Sequence, residues 1–232
     1  SERSRGLGDV YKRQTPDSYS ELRSLIDVEG SNREQVYELW IDQQFDIPET
    51  SMLALDNHTY DQFPSYNHAA LKTESFWPIA VYANDQLRQR VTFALSEILV
   101  ISRADGQVRN KPRGIGSYWD TLSSNAFGSY RQLIEDVTMH PMMGLYLSHL
   151  RNKKADAEAG TLPDENYARE VMQLFTFGLV HRNIDGSIIL GEDNLPIATY
   201  SNETIQNMAR VFTGLGLSYG VNSAEETIEN TN

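Results

Sequence analysis

The chain has 232 residues, 40% hydrophobic and 22% charged, with no cysteine and a formal charge of −12. Such a length buries a sizeable core, the balance is that of a globular protein, and so acidic a surface repels the backbone of nucleic acid. The missing cysteines exclude disulfides, thiolate metal sites and cysteine nucleophiles, and no apolar run approaches the roughly 18 residues of a membrane span.

Residues 1–14 do not read like the rest. Arg3, Arg5, Lys12 and Arg13 stand against Glu2 and Asp9 with no helical period. The string resembles translated sequencing-adaptor read-through, so it is expected to be a non-native, disordered leader and is set aside. Without it the charge is 16 − 30 = −14. A single helical domain is expected over 15–217, followed by a frayed acidic tail over 218–232. The fold class is mainly α: a multi-helix bundle with one small β-hairpin near 187–200.

A short amphipathic helix is expected over Tyr19–Val28, closed by Gly30. Ser31 with Glu34 makes a capping box for a helix to about Gln44, burying Val36, Leu39, Trp40 and Ile41. Residues 57–68 read as a loop rich in aromatics and histidines. There Tyr60, Phe63 and Tyr66 either stack on a sugar or peptide, beside His58 and His68, or pin the loop to the domain. A helix around Ala69–Tyr82 holds Pro78, and a strong one runs from Asn84 to about Ile101 on Leu87, Val91, Ala94, Leu95 and Ile98. Arg88 and Arg90 sit in its first half, against the helix dipole, so pairing with acidic neighbours is expected.

Residues 102–116 read as a Gly-rich basic loop without a phosphate-cradling motif. Helices follow at Ser117–Asn125 and Ser129–Met139, and Pro141 opens a short one as a first-turn proline. Asp136 and His140, four apart, could meet as a base-and-orienter pair or as two metal ligands; a structural histidine at a helix end is the alternative. No His-Glu-x-x-His spacing and no Gly-x-Ser-x-Gly elbow occurs, and no metal or cofactor is expected.

The stretch Pro163–Gly178 carries the clearest pattern. At 100° per residue Tyr167, Ala168, Val171, Met172, Leu174 and Phe175 share one arc, and Glu165, Asn166, Arg169, Glu170 and Gln173 the other. Asp164 or Thr161 starts this central helix and Gly178 stops it. Glu165 and Glu170 are five residues apart, about 140° around the axis, a poor acid/base dyad by themselves. Pairs four apart (Glu165 with Arg169, Asn166 with Glu170, Arg169 with Gln173) make the face a structural clamp, a substrate site or a solvated surface. Ser187–Leu190 and Pro196–Tyr200 then form the hairpin, and Ser201 caps a helix burying Ile205, Met208, Ala209 and Phe212.

Four motifs carry a resemblance: the run Asp85–Glu97, Ala126-Phe127-Gly128-Ser129-Tyr130-Arg131, His140-Pro141-Met142-Met143-Gly144, and Ala209-Arg210-Val211-Phe212-Thr213-Gly214. With the central helix they resemble the bacterial domain-of-unknown-function family numbered 1800, over residues 18–217. Ser129 departs from the asparagine expected before Tyr-Arg. Members are usually longer, so an N-terminal portion is expected. The resemblance implies a mostly helical, exported protein (periplasmic or extracellular), often encoded beside a family-1501 gene, and no agreed catalytic residue. Two function classes follow. One is an envelope or extracellular interaction and assembly protein, its partner the family-1501 neighbour. The other is an exported hydrolase or lyase on polysaccharide or another polymer, with Glu165, Glu170, Asp136 or His140 in acid/base roles.

Overall fold

A computed structural model describes residues 33–62, 75–218 and 228–230, and these are mainly helical. The leader, the Tyr19–Val28 helix and residues 63–74 lie outside the described residues. The chain divides into two compact units, one of residues 1–97 and 110–133, the other of 98–109 and 134–232.

The first unit opens on α1, Arg33–Asp46. Its buried stripe is Val36, half-buried Trp40 and Gln44, spaced four apart; Leu39 and Ile41, expected inside, are exposed. Ile41 lies about 140° around the axis from Val36, too far for one narrow stripe to reach. Gln44 points inward as a partner, its Oε1 accepting the Leu87 N–H at 3.0 Å.

The segment read as a loop from Asn57 is helical as far as Gln62, in α2, Met52–Gln62. Its start is held from two sides. Ser51 Oγ accepts the Ala54 N–H at 2.9 Å, and Asp120 accepts from Met52 N at 2.6 Å and Leu53 N at 3.1 Å. The Ser51 cap is local, but the apolar residues of α2 keep no clear helical period, and the Asp120 share of the cap comes from across the fold where no local pattern records it.

Next come α3, Phe76–Tyr82, with Pro78 in its first turn where it costs no hydrogen bond, and α4, Gln86–Ile98. Buried Asp85 precedes α4 and ties it to Thr50, accepting from Thr50 Oγ1 at 2.6 Å and Thr50 N at 3.0 Å. The second half of the expected basic loop is also helical: α5 spans Pro112–Ser124, opened by its proline. Gly116 of α5 lies against α2 so closely that a Cβ would sit 2.6 Å from Asp56 Oδ2 and 3.3 Å from the Leu53 backbone. Gly116 and Asp120 are four apart, so one face of α5 supplies both the close approach and the cap.

α6, Tyr130–Met139, begins in the first unit and ends in the second. α7, Pro141–Tyr146, follows directly. The central helix is α8, Asn166–Gln173, and it packs on α9, Asn202–Val211. Tyr167, Ala168, Val171, Met172 and Phe175 are buried as expected; Leu174 is 62% exposed. The helix ends one residue before Leu174, and the turn closed by Gly178 N–H on Met172 O, with Gly178 at φ 76°, carries that side chain outward.

The hairpin forms as isolated bridges rather than strands, and a third segment joins it. Val180 bridges Ala198, Arg182 bridges Ile188, and Leu190 bridges Pro196. Their amides close a ring: His181 N–H donates to Ile197 O, Ile197 N–H to Ile189 O, and Ile189 N–H to His181 O. Pro196 has no N–H to extend a ladder. Beyond α9, β1 (Leu215–Leu217) pairs antiparallel with β2 (Ile228–Asn230), Gly216 opposite Glu229. That part of the expected frayed tail is thus a strand, satisfying the backbone groups along β1.

Candidate functional site

α8 is set at its start by the loop before it. Asn152 is buried and grips Asp164 twice: Asp164 N–H donates to Asn152 Oδ1 at 2.8 Å, and Asn152 Nδ2 to Asp164 O at 3.0 Å. Asp164 Oδ1 then accepts the Asn166 N–H at 2.8 Å, so one of the two expected starters does supply the side-chain acceptor. Thr161 instead bridges Asp156.

On the polar face one rung of the expected ladder forms. Arg169 Nη2 donates to Glu165 Oε2 at 3.0 Å, both side chains partly exposed. Such a solvated pair contributes about 0.3–0.5 kcal/mol. Asn166 turns to Ser148 Oγ at 3.4 Å rather than to Glu170, and Gln173 makes no side-chain hydrogen bond among the described residues. Glu170 Oε2 is enclosed and has no hydrogen-bond partner among them.

Behind the helix the buried side is aromatic. Tyr167 lies 4.0 Å, ring to ring, from His149 and meets Phe212 edge-on at 4.8 Å. The Tyr167 hydroxyl and Thr138 Oγ1 are 2.6 Å apart; since Thr138 Oγ1 donates to Ile134 O at 2.6 Å, the tyrosine is the donor. Burial pushes the Tyr167 phenol up to about 12. His149 Nε2 lies 2.8 Å from Thr138 O, so it carries the proton and Nδ1 is a bare acceptor in the core. Burial lowers the His149 pKa, against the Thr138 carbonyl and Asp164.

His140 stands at the junction of α6 and α7. Its Nδ1 accepts the Met142 N–H at 3.2 Å and caps α7, while burial lowers its pKa to about 4. The imidazole is therefore neutral near pH 7 and holds a helix end. Asp136 is half-buried one turn earlier in α6. No three histidine, aspartate or glutamate side chains cluster as metal ligands among the described residues.

In the first unit, Tyr60 lies on α2 with the Arg113 guanidinium 5.0 Å from its ring centre. Phe63 and Tyr66 fall outside the described residues. Three acids in this unit are engaged structurally: half-buried Asp120 caps α2, buried Asp85 holds Thr50, and buried Asp56 accepts from Ser75 Oγ. Burial raises the Asp120 pKa, and its three hydrogen bonds oppose that; Glu49 is raised by burial, with Asp120 and Asp85 adding to it. Arg88 forms no salt bridge among the described residues, although its charge acts on the acidic neighbour Glu49 and opposes that rise in pKa. Its Nη1 donates to Ser123 O at 2.9 Å, with the guanidinium 4.6 Å from the Phe127 ring centre.

One concavity of this unit was not read from the sequence. A pocket of about 320 Å³ lies between α3, α4 and α5, walled by Phe76, Trp77, Phe93 and Trp119 with Gln89 and Arg90. The adjacent Phe76-Trp77 pair was its only local signal, since Phe93 and Trp119 come from other helices. Among the described residues no helix is long and apolar enough to cross a membrane.

A family model described as a protein of unknown function, DUF1800, matches residues 27–231, and the chain belongs to that family. No curated protein and no solved structure matches it.

Proposed function

We propose that this member of the family works by binding rather than by turnover, as an exported envelope or extracellular assembly protein whose partner is the product of a neighbouring family-1501 gene. The observation that carries this reading is the bridged lobe after α8. Its three segments are tied by backbone hydrogen bonds, yet Leu179, Ile188, Leu190, Leu195 and Ile197 are all exposed on them, with Leu174 and Phe177 just before. Aliphatic groups fixed together on a surface favour covering by a partner. Export and the identity of the partner rest on the family resemblance. The test is co-expression of the full chain with that neighbour, followed by size-exclusion chromatography. A co-eluting complex is expected, lost in the Ile188→Ser, Ile197→Ser double variant. No complex, or one indifferent to those substitutions, removes this reading.

A second reading is favoured by Glu170. A carboxylate with one oxygen enclosed and free of hydrogen bonds among the described residues is available for an acid/base role in a polysaccharide hydrolase or lyase. Glu165 and His140 are already engaged, by Arg169 and by α7. Assaying Glu170→Gln beside the unaltered chain on a polysaccharide panel decides it: a folded variant that loses cleavage supports the enzyme, and cleavage by neither protein excludes it.

A further inference from the structure

The pocket of the first unit differs from an ordinary gap between helices in which of its polar groups remain available. Gln89 is buried and engaged at both ends. Its Oε1 accepts the Trp119 indole N–H at 3.0 Å, and its Nε2 donates to Asp85 Oδ2 at 3.0 Å and Thr50 O at 3.3 Å. The Trp119 and Gln89 polar groups are therefore unavailable to an occupant. What remains among the described lining residues is aromatic and aliphatic surface, the Trp77 indole N–H and the Arg90 guanidinium. Neither of the last two has a hydrogen-bond or ion-pair partner among the described residues.

Both remaining groups are donors and neither can accept. A polyol needs acceptors as well as donors, so the lining does not fit a sugar. Arg90 is exposed and solvated at the rim, and an anion there adds a charge-assisted bond that a neutral hydrocarbon cannot make. The complement is an apolar body carrying an acceptor anion. Phe76 meets Trp77 at 5.3 Å and Trp119 at 5.5 Å, both edge-on, so the walls are set at angles suited to edge and face contacts with a flat ring. The volume of about 320 Å³ lies at the small end of the roughly 300–1,000 Å³ of ligand pockets.

We infer that this pocket binds a small aromatic monocarboxylate, its ring between Phe76, Trp77, Phe93 and Trp119 and its carboxylate on Arg90. In a protein of formal charge −12, Arg90 is a local attraction set against long-range repulsion, so a single negative charge is favoured over a polyanion. The site belongs to the first unit and does not depend on the assembly reading, which rests on the second.

The test is titration of the full chain with 3-phenylpropionate, followed by the fluorescence of Trp77 and Trp119, with Trp77→Phe to locate the signal. Saturable binding is expected. The neutral isostere 3-phenylpropanamide should bind about tenfold or more weakly, because it lacks the charge-assisted bond. Arg90→Met keeps the stem, removes the charge and should bring the acid down to the level of the amide, with an unchanged thermal midpoint. A peptide ending in phenylalanine should bind no better than the free acid. Equal affinity for acid and amide, unaltered acid binding by Arg90→Met, tighter binding of the peptide, or no saturable binding would each overturn the assignment. The acid–amide comparison uses the unaltered chain and so does not depend on how any variant folds.

Discussion

His140 is kept uncharged by its surroundings, and stability must follow. Burial lowers its pKa from 6.5 to about 4, so between those values the unfolded chain binds more protons than the folded one. Its contribution is complete above pH 6.5 and is lost as the pH falls towards 4, by about 3 kcal/mol at most. His149, lowered for the same reason, acts in the same direction. His140→Asn retains an acceptor for the Met142 N–H without the titration, so urea unfolding from pH 7 to pH 4 should show a shallower loss for the variant. An identical slope would show that His140 does not titrate as its burial requires. At Tyr167 the expected change is smaller. Tyr167→Phe removes one hydroxyl from a bond that Thr138 Oγ1 can lose while still donating to Ile134 O, and about 0.5–1.5 kcal/mol of stability should go.

Among the elements, α2 and α5 depend on each other most directly. The Gly116→Ala methyl would meet Asp56 Oδ2 and the Leu53 backbone, and backbone cannot swing aside as a flexible side chain can. A loss of about 1–3 kcal/mol is expected, read as a lower urea midpoint. A neutral result would mean that the two helices separate without cost. Asp120→Ala leaves the Met52 and Leu53 amides without their acceptor and should cost about 1–2 kcal/mol. α9 makes the contrasting case. Its capping box lies within its own sequence, Ser201 Oγ accepting from Thr204 N–H, so it was legible in advance. At α2 only the Ser51 part of the cap is local; the acceptor for the Met52 and Leu53 amides, Asp120, stands 68 and 67 residues further along.

At the scale of the molecule, charge is the controlling property. With a formal charge of −12 the folded chain repels itself, and its Arg169–Glu165 salt bridge is a partly exposed pair. Raising salt from about 10 mM to about 150 mM shortens the Debye length from about 30 Å to about 8 Å. The thermal midpoint should therefore rise over that range; a fall would show that attraction between charges outweighs the repulsion. What the sequence determined without help was whatever repeats within a turn or two: the helical class, the buried stripe of α8, the first-turn proline of α7, the acceptor Asp164 supplies just before α8, and the cap at Ser201. Even His140 was legible as a helix-end residue, although its neutrality was not. Tertiary structure alone decided that α2 and the start of α5 are helices, that Leu39 and Ile41 lie outside, that Arg88 meets a carbonyl and a ring, and that Phe76, Trp77, Phe93 and Trp119 line one open pocket. Periodicity and caps act between residues a few positions apart, where a linear pattern records them. Burial, a cap from another helix and the walls of a pocket arise between residues dozens of positions apart, and only the folded backbone brings those together.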